Sequence, residues 1–531
     1  MATYNVVRQL RWNRLRRADQ EALVDGDVRL TYAQLDEEVS RSAWMLDALG
    51  VGPDDVVAMV AANHADYVID ILAASRVGAV YLPLNWRLAP AEMGYILDHA
   101  GAALVLSDRE YASKVDEALS GTQSTGTRVM YGAEAGPGWL GRSALRTAAP
   151  PTPYPDADRE ADDLVRLLYT SGTTAHPKGV MTTHANLAWT YLGQILELEL
   201  RAGDRIMLSA PIFHVSGLDA PGLGTLYFGG TLAIARSFRG RDIIELAARE
   251  RVQGMVLAMQ IVIDFLAMPD LSAYDLSALR YIIFGSFQTK LQERLKAVLP
   301  QVRLVECFGM TEVTNGVSYM DAAHEITKRG SQGAPFPHMD IRIVDDDGRP
   351  APPMQVGEIV LRGPKVTRGY WKDPETTALS YRDGWFHSGD AGRMDADGYL
   401  WFVDRRKDMI KSGGENIASA EVERVLAQHP AVREVAVIGV PDARWTEVPK
   451  AFVVLFPGAA TTSEELIDHC RAHLARFKVP REVAIVDHLV RNDSGKVLKR
   501  VMREREQQLQ VSASAAEPAQ PGAASSGRGG E

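Results

Sequence analysis

Apolar runs and helical stretches alternate along the first three hundred residues of the chain. Residues 56–60 and 103–106 are short runs of apolar side chains, and residues 67–77 between them have the spacing of a helix. The same rhythm continues in further apolar runs at 206–208, 231–234, 255–257 and 281–284. Strands that alternate with helices predict parallel sheets covered by helices on both faces, so we predict an α/β fold for this part.

The pattern changes to that of a smaller, β-rich unit near residue 340. Residues 340–344 and 357–361 are two apolar-rich stretches separated by the polar turn 345–348, which predicts an antiparallel hairpin. A strand at 399–403 then leads into the charged segment 404–411, which indicates a domain boundary.

The rest of the chain predicts a compact α+β module followed by a tail. The module consists of a helix from Glu421, strands at 435–440 and 451–455, and a helix at 463–475. After about Gln508 the composition becomes Ala, Ser, Gly, Pro and Gln, which cannot build a core. We therefore expect residues 508–531 to be disordered.

Length and composition indicate a soluble globular protein with more than one domain. The chain has 531 residues, of which 46% are hydrophobic and 24% charged. The formal net charge of −10 argues against a dominant basic surface, so we expect no nucleic-acid partner. Cys307 and Cys470 are the two cysteines, too few for a disulfide framework or a zinc knuckle.

The N-terminal segment is basic and predicts an amphipathic first helix in preference to a transit peptide. Val7, Leu10, Trp12 and Leu15 have roughly the spacing of one helical face. No apolar signal-peptide core follows the arginines, and no run of the chain approaches the length of a membrane span. We expect a cytoplasmic protein without a membrane span.

The polar loop 170–178 carries the strongest chemical signal. It follows an alternating strand, contains Gly172 and ends in Pro177-Lys178-Gly179, so it lacks the Gly-Lys-Ser/Thr ending of a Walker loop. Four hydroxyl groups, with the charge of Lys178, suit a group of phosphate oxygens. These hydroxyls belong to Thr170, Ser171, Thr173 and Thr174. The alternative is an ordinary polar turn between a strand and a helix.

This loop resembles the signature Tyr-Thr-Ser-Gly-Thr-Thr-Gly-x-Pro-Lys-Gly of the adenylate-forming (AMP-binding) enzymes, in which Ala175 replaces a glycine. Further motifs of that family follow in its order: Phe308-Gly309-Met310-Thr311-Glu312, Trp385-Phe386-His387-Ser388-Gly389-Asp390, Asp404-Arg405-Arg406-Lys407-Asp408, Gly413-Gly414-Glu415-Asn416-Ile417 and Ser494-Gly495-Lys496. The chain is identified as a member of the family in its acyl-CoA synthetase branch. The resemblance implies an N-terminal AMP-binding domain at 1–403, a hinge at 404–408 and a mobile C-terminal domain at 409–507.

The resemblance also implies the reaction. A carboxylic acid attacks the α-phosphorus of ATP to give an acyl-adenylate and pyrophosphate, and the thiol of CoA then takes the acyl group and releases AMP. Such an acid–CoA ligase uses ATP, Mg²⁺ and CoA and belongs to fatty acid metabolism in the broad sense. A carrier-protein phosphopantetheine or another nucleophile stays open as the acceptor, and so does a homodimer.

The roles implied for single residues divide into catalysis and binding. The catalytic residues are Lys496 as the adenylation lysine, Glu312 as the magnesium ligand, Thr311 at the α-phosphate and His214 over the carboxylate. The nucleotide-binding and CoA-binding residues are Thr170, Ser171, Gly172, Thr173, Thr174, Lys178, Gly285, Phe308, Gly309, Asp390, Arg405, Lys411, Gly413 and Gly414. Five of these residues also have an ordinary structural alternative. It is a helix-start carboxylate for Glu312, a turn aspartate for Asp390, a solvent-facing arginine for Arg405, an exposed lysine for Lys496 and a histidine that fixes its own loop for His214.

Two stretches that depart from the family concern the acid. Met259-Gln260 replaces a common Pro-Thr pair, and Gly285-Ser286-Phe287-Gln288 replaces a Gly-Gly-Ala-Pro-like turn. A phenyl ring narrows the pocket and an amide adds hydrogen-bonding capacity. We therefore expect a small or medium, partly polar or aromatic acid in place of a long fatty acid.

Other classes of function fit less well. Gly222-Leu223-Gly224 begins a dinucleotide fingerprint, but Tyr227 takes the place of its third glycine. A serine hydrolase would need Gly-x-Ser-x-Gly, which the sequence lacks. His469 and His473 lie one helical turn apart without an evident third metal ligand, which favours a solvated helix face. A non-catalytic binding module is disfavoured because the catalytic positions keep competent side chains.

Overall fold

The chain divides into two compact units, Met1–Phe402 and Val403–Glu531. The computed structural model describes residues 4–122, 126–132, 135–170, 176–285, 289–412, 415–442, 444–491 and 497–516. Among these residues, none of the helices combines the length and the apolar content needed to cross a bilayer.

Two large, mostly parallel sheets form the body of the first unit, as the alternating pattern predicted. One sheet has the spatial order Ala334–Pro335, Asn315–Tyr319, Arg303–Met310, Tyr281–Phe284, Gly254–Val256, Arg205–Leu208, Thr231–Ile234, Glu21–Asp25 and Val28–Thr31. The other has the order Leu140–Gly141, Thr127–Met130, Ala102–Ser107, Val56–Val60, Val80–Pro83, Leu164–Thr170 and Lys178–Thr183. Antiparallel pairs occur at the ends of these sheets.

Helices cover these sheets and bury apolar side chains from both strand faces in separate clusters. These helices are Arg8–Arg17, Tyr32–Ala48, Ala65–Val77, Pro90–Ala100, Ala112–Ser120, Arg142–Thr147, His184–Glu197, Val215–Asp219, Gly224–Phe228, Gly240–Glu250, Met259–Leu266 and Thr289–Val298. Helix Pro374–Ser380 comes later in the chain and packs against strands Tyr381–Arg382 and Trp385–Met394. The α/β class is therefore confirmed.

The β-rich part of the first unit begins with the predicted hairpin. Asp340–Val344 pairs antiparallel with Gly357–Arg362, which in turn pairs with Trp385–Met394. The short strand Tyr381–Arg382 pairs with the far side of Trp385–Met394. Strand Leu400–Arg405 follows along the chain.

The second unit is the α+β module that the sequence predicted. Its sheet has the order Glu415–Ile417, Ile410–Ser412, Thr446–Leu455 and Val432–Asp442, and Glu482–Ile485 pairs in parallel with Thr446–Leu455. Helices Ser419–Leu426, Ser463–His473 and Lys499–Ala516 belong to the same unit. Val422, Leu426, Leu466 and Cys470 lie in its buried apolar cluster.

The first helix differs from its prediction in which face is buried. Val7 and Leu10 are buried, but Trp12 and Leu15 are 46% and 76% exposed, so their assignment to the apolar face was wrong. The third buried position is Asn13, whose Nδ2 donates to the carbonyl of Leu226 at 2.8 Å. Residues 7, 10 and 13 follow one another three apart on one face, which places 12 and 15 on another.

The last helix also differs from its prediction, because it continues to Ala516 although we expected disorder from residue 508. Its sequence is rich in Arg, Glu, Gln and Ala, which are favourable helix formers. Residues 517–531 lie outside the described residues.

His184 is a buried titratable group at the start of helix His184–Glu197. The side chain of Thr183 caps this helix, and its Oγ1 accepts a hydrogen bond from Asn186 N–H. The His184 Nδ1 atom accepts from Val6 N–H at 3.2 Å, which ties the N-terminal segment to the helix. Burial, helped by the charge of Arg159, lowers the pKa of His184 from 6.5 to about 4.

We predict that His184 makes stability depend on pH in the mildly acidic range. The unfolded chain protonates His184 below pH 6.5, whereas the folded chain resists until about pH 4. Stability contributed by the neutral ring is therefore present above pH 6.5 and lost as the pH falls. Urea unfolding measures the free energy of unfolding at pH 7 and at pH 5. The decrease in this free energy from pH 7 to pH 5 should be about 2 kcal/mol larger for the wild type than for His184→Gln.

A histidine on the surface provides the matched control for this experiment. His473 is exposed at the end of helix Ser463–His473, so His473→Gln controls for the removal of a histidine that is not buried. An equal decrease in the free energy of unfolding from pH 7 to pH 5 in the wild type and in His184→Gln would contradict the prediction.

Candidate active site

The strands that flank the polar loop form an antiparallel hairpin. Leu164–Thr170 pairs with Lys178–Thr183, and Thr170 lies opposite Lys178 at the open end. The interpretation of the loop as a turn between a strand and a helix was therefore wrong, because a second strand follows it. Thr170 and Lys178 are half-buried. Four further predicted residues of the loop lie outside the described residues: Ser171, Gly172, Thr173 and Thr174.

Tyr370 connects Lys178 with Glu312. The Tyr370 Oη atom donates to Glu312 Oε1 at 3.0 Å, and Lys178 Nζ lies 5.4 Å from the centroid of the Tyr370 ring. Burial raises the pKa of the Tyr370 hydroxyl, and the nearby Glu312 carboxylate raises it further. The Tyr370 hydroxyl thus stays protonated and can donate a hydrogen bond. The Lys178 ammonium lies above the Tyr370 ring, and the Glu312 carboxylate contacts the hydroxyl.

Backbone hydrogen bonds hold Tyr370 beside the hairpin. Trp371 N–H donates to the carbonyl of Gly179 at 2.7 Å, and Met181 N–H donates to that of Gly369 at 3.0 Å. The segment that contains Tyr370 therefore runs along strand Lys178–Thr183 like a further strand. This arrangement fixes the ring under Lys178.

Glu312 lies in the short 3₁₀ turn Thr311–Val313, directly after strand Arg303–Met310. Its carbonyl accepts from the backbone N–H and from the side-chain hydroxyl of Thr367, both at 2.9 Å. Contacts to Thr367 and Tyr370 thus hold both the backbone and the carboxylate. Thr311 beside it is 8% exposed.

Phe308 and Gly309 face different surroundings on strand Arg303–Met310. Phe308 is 6% exposed, and its ring stacks on that of Phe402 with the centroids 6.1 Å apart. Gly309 is exposed, and a Cβ atom there would lie 2.2 Å from the carbonyl oxygen of Asn315. Only glycine fits against this neighbouring backbone, which leaves a bare peptide surface beside a mostly covered aromatic ring.

Gly285 and His214 lie on loops at strand and helix ends. Gly285 is exposed directly after strand Tyr281–Phe284, and the substituted turn residues 286–288 lie outside the described residues. His214 precedes helix Val215–Asp219, and its Nδ1 is 3.1 Å from Ser216 Oγ. The imidazole of His214 therefore contacts its own loop and is exposed at its surface.

Asp390 is 9% exposed within strand Trp385–Met394. Its N–H donates to Ser388 Oγ at 3.1 Å, and Ser388 Oγ donates to the carbonyl of Ile359 at 2.6 Å. Gly389 between them has a φ of 72°, which favours glycine. This turn fixes the position of the carboxylate.

The second unit contains the remaining predicted residues. Arg405 N–H donates to Asp404 Oδ1 at 2.7 Å, and Lys411 is exposed while its N–H donates to Glu447 Oε2 at 2.9 Å. Lys496, Gly413 and Gly414 lie outside the described residues.

Lys499, a neighbouring lysine, has structural partners. Its Nζ forms an ion pair with Glu423 at 2.7 Å and donates to Ser419 Oγ at 2.6 Å. These contacts hold the partly buried side chain of Lys499 against its own unit. The lysine therefore has a structural role there.

A cavity of about 560 Å³ in the first unit is lined by none of the predicted site residues. Carboxylates beside it have partners: Asp25 pairs with Arg236 at 2.6 Å, and Asp108 with His64 at 3.2 Å. We therefore interpret it as a structural cleft and place the candidate site at Lys178 and Glu312, where the motifs meet.

The described part of the chain holds no cluster of three His, Cys, Asp or Glu side chains that could bind a metal ion alone. His469 and His473 both contact backbone carbonyls, of Val425 at 3.0 Å and of His469 at 2.8 Å. This agrees with the interpretation of a helix face.

Sequence reasoning missed Tyr370 and Thr367. Tyr370 is one of 17 tyrosines, and no motif in the chain links it to Glu312, 58 residues earlier. Both contacts arise because a distant segment runs along the hairpin. Gly369, directly before Tyr370 and with a φ of 123°, is a local signal of an unusual turn.

Comparison with known proteins supports the family assignment. The AMP-binding enzyme model matches residues 10–371, and the AMP-binding enzyme C-terminal domain model matches residues 421–496. Feruloyl-CoA synthase of Amycolatopsis sp is 40% identical over 484 residues, which cover 91% of this chain and 95% of the relative. Indoleacetate–CoA ligase of Aromatoleum aromaticum is 36% identical over 90% of this chain and 93% of its own length.

Solved structures show the same fold. The anthranilate CoA ligase AuaEII in complex with anthranoyl-AMP has a TM-score of 0.89 at 27% identity and covers 96% of this chain and 99% of its own. The o-succinylbenzoate CoA synthetase MenE of Bacillus subtilis, in complex with its acyl-adenylate intermediate, has a TM-score of 0.83 at 29% identity, with coverages of 93% and 97%. The chain thus belongs to the AMP-binding enzyme family and is an acid–CoA ligase, which forms an acyl-adenylate and then an acyl-CoA.

Proposed function

We propose that this ligase activates a small or medium-sized aromatic acid and that Lys178, Tyr370 and Glu312 form the phosphate-binding end of its active site. The observation that carries the site is the hydrogen bond from Tyr370 to Glu312 beneath the Lys178 ammonium. Relatives named for ferulate, indoleacetate and 2-succinylbenzoate support an aromatic acid, and they are 40%, 36% and 35% identical to this chain. A relative named as a long-chain-fatty-acid–CoA ligase, from Mycobacterium tuberculosis, has the lower identity of 33%.

The first half-reaction joins an acid carboxylate to the α-phosphorus and releases pyrophosphate. Neither the acid nor the phosphate needs a protein nucleophile, so the chain acts by positioning and by stabilising charge. The loop residues Thr170, Ser171, Gly172, Thr173 and Thr174 hold the β- and γ-phosphates together with Lys178. Hydroxyl donors and one ammonium suit the negatively charged oxygens of these phosphates.

The residues present fit a Mg²⁺ ion that is held partly by the substrate. The Glu312 carboxylate is a hard oxygen ligand of the kind that Mg²⁺ prefers, and Tyr370 donates to its Oε1 atom. When bound, Mg²⁺ neutralises phosphate charge. Tyr370 orients the carboxylate, and Thr311 donates to the α-phosphate.

The nucleoside is bound by the surfaces next to these groups. The Asp390 carboxylate accepts hydrogen bonds from both ribose hydroxyls, and Arg405 contacts the same ribose or the phosphate. Adenine lies on the bare peptide of Gly309 and against the accessible part of the Phe308 ring, near Gly285. His214 closes over the acid carboxylate.

Lys496 acts in the first half-reaction, and the residues around Lys411 act in the second. Lys496 offsets the repulsion between the incoming carboxylate and the α-phosphate in the first. In the second, Lys411 with Gly413 and Gly414 guides the pantetheine arm of CoA, after a movement at the hinge 404–408. We further propose a cytoplasmic location, and we assign the chain to acyl activation within fatty acid metabolism in the broad sense.

A panel of carboxylic acids, scored by pyrophosphate release with and without CoA, tests the substrate class. We expect benzoate-type, cinnamate-type and short acids to be activated with at least tenfold higher kcat/KM than palmitate, because each discriminating contact contributes about 1–3 kcal/mol. Activation of palmitate at least as well as these acids would contradict the aromatic assignment. Pyrophosphate exchange without CoA consumption would assign the acyl group to another acceptor.

We predict that Lys496→Ala separates the two half-reactions. Loss of the aligned cation should lower adenylate formation by about two to three orders of magnitude. Thiolation of a supplied acyl-adenylate should remain, because that step does not join two anions. Single-turnover assays of each step with purified adenylate provide the measurement.

Lys499→Ala is the matched control, because this lysine pairs with Glu423 and Ser419 inside its own unit. It should keep adenylate formation although it loses an ion pair. Equal losses of both half-reactions in Lys496→Ala would contradict this division.

A further inference from the structure

The carboxyl end of helix Pro90–Ala100 anchors the segment that carries Tyr370. The last carbonyl groups of a helix lack partners within the helix itself. The His99 carbonyl accepts hydrogen bonds from Trp371 Nε1 at 3.3 Å and from Lys372 Nζ at 2.9 Å. A cation is favourable there, because the helix dipole is negative at this end. Both donors directly follow Tyr370 in the chain, so the helix end holds the Tyr370 segment in place.

The imidazole of His99 contacts the strand that leads into the polar loop. His99 Nδ1 lies 2.7 Å from Tyr169 Oη. Tyr169 is the penultimate residue of strand Leu164–Thr170, and Gly179 lies opposite it in the hairpin. A Cβ atom at Gly179 would lie 2.9 Å from the Tyr169 ring. The lack of a side chain at residue 179 therefore leaves room for the ring that reaches His99.

The protonation states of Tyr169 and His99 fix the direction of their hydrogen bond. Burial raises the pKa of the Tyr169 hydroxyl, so the phenol stays protonated. Burial and the nearby Lys372 ammonium lower the pKa of His99, against the effect of the Asp373 and Asp98 carboxylates, so the ring is neutral at pH 7. Tyr169 Oη thus donates to the unprotonated Nδ1 atom of His99.

Aromatic stacking extends the contacts of the same helix to the other side of the loop. The Tyr95 ring stacks on that of His99, one helical turn later, with the centroids 5.4 Å apart. It also stacks on the His176 ring, with the centroids 4.6 Å apart. His176 lies two residues before Lys178, so one helix contacts the chain both before and after the loop.

We propose that His99 is a positioning residue for the phosphate-binding end of the active site. Its ring holds the strand that ends in Thr170, and its carbonyl holds the segment that carries Tyr370. These contacts keep the two segments in one arrangement, as binding of the β- and γ-phosphates requires. This inference rests on the proposed function and deepens it by naming the residue that sets the geometry of that site.

The affinities for MgATP and AMP separate this role from a general effect on stability. AMP lacks the β- and γ-phosphates and is bound, as proposed above, at Gly309 and Asp390 on other strands. Tyr169→Phe keeps the ring and removes the hydroxyl. Calorimetric titration should show MgATP binding weakened about tenfold in this variant, and AMP binding changed by less than about twofold.

Two substitutions of His99 separate the hydrogen bond from packing. His99→Leu removes the acceptor and should weaken MgATP binding about tenfold, whereas His99→Asn keeps an acceptor near the position of Nδ1 and should lose less than about threefold. In the His99→Leu background, Tyr169→Phe should cause little further loss, because its partner is already absent. The control is Tyr154→Phe, whose hydroxyl contacts Asp47 at 3.1 Å, and it should keep both affinities.

Four results would overturn the role of His99. They are unchanged MgATP affinity in Tyr169→Phe, equal losses of MgATP and AMP affinity in Tyr169→Phe or His99→Leu, a loss in His99→Asn as large as in His99→Leu, and additive losses in the double variant.

Lys178→Ala distinguishes these failures from failure of the proposed function. This variant should weaken binding of MgATP more than binding of AMP, because the Lys178 ammonium contacts phosphates that AMP lacks. If Lys178→Ala behaves so and the variants of Tyr169 and His99 do not, the proposed phosphate site stands without the role of His99. An unchanged ratio of the two affinities in Lys178→Ala would overturn the proposed phosphate site together with this inference.

Discussion

One hydrogen bond, from the Tyr370 hydroxyl to the Glu312 carboxylate, holds the candidate site together. It joins three segments that lie far apart in sequence, because the Tyr370 ring also lies beneath Lys178. A hydrogen bond to a charged group contributes about 1.5–3 kcal/mol. Its larger effect is geometric, since the hydrogen bond fixes the orientation of the Glu312 carboxylate.

The sheets supply the rigidity that this geometry requires. Leu164–Thr170 enters the loop from the interior of a sheet, where Arg166 and Asp219 form a fully buried ion pair. Removal of one partner of such a pair costs about 3–5 kcal/mol, because the other charge is left buried alone. This pair thus connects strand Leu164–Thr170 with helix Val215–Asp219.

Local sequence patterns predicted the positions of strands and helices better than they predicted which side chains are buried or in contact. Apolar runs at 56–60, 231–234 and 281–284 coincide with strands Val56–Val60, Thr231–Ile234 and Tyr281–Phe284, because a buried strand must be apolar along its whole length. Trp12 and Leu15 were misplaced because the polar Asn13 occupies the buried face of the first helix. Periodicity counts apolar residues and cannot identify a buried asparagine with a carbonyl partner.

Residues of the candidate site that belong to one sequence motif could be predicted. Residues that reach the site from a distant segment could not. Thr170 and Lys178 stand in one motif, and the hairpin brings them face to face. Tyr370 reaches Glu312 across 58 residues. Such long-range pairing leaves no pattern in a single sequence.

The central claim is that Tyr370 orients Glu312 for magnesium and phosphate, and calorimetric titration of Tyr370→Phe with ATP and Mg²⁺ tests it most directly. The variant keeps the ring under Lys178 and loses only the hydroxyl. MgATP affinity should fall about tenfold, while ATP without Mg²⁺ should bind nearly as to the wild type. Tyr381→Phe, whose hydroxyl contacts Thr367 at 2.9 Å, should keep MgATP affinity. Unchanged MgATP binding in Tyr370→Phe would contradict the account.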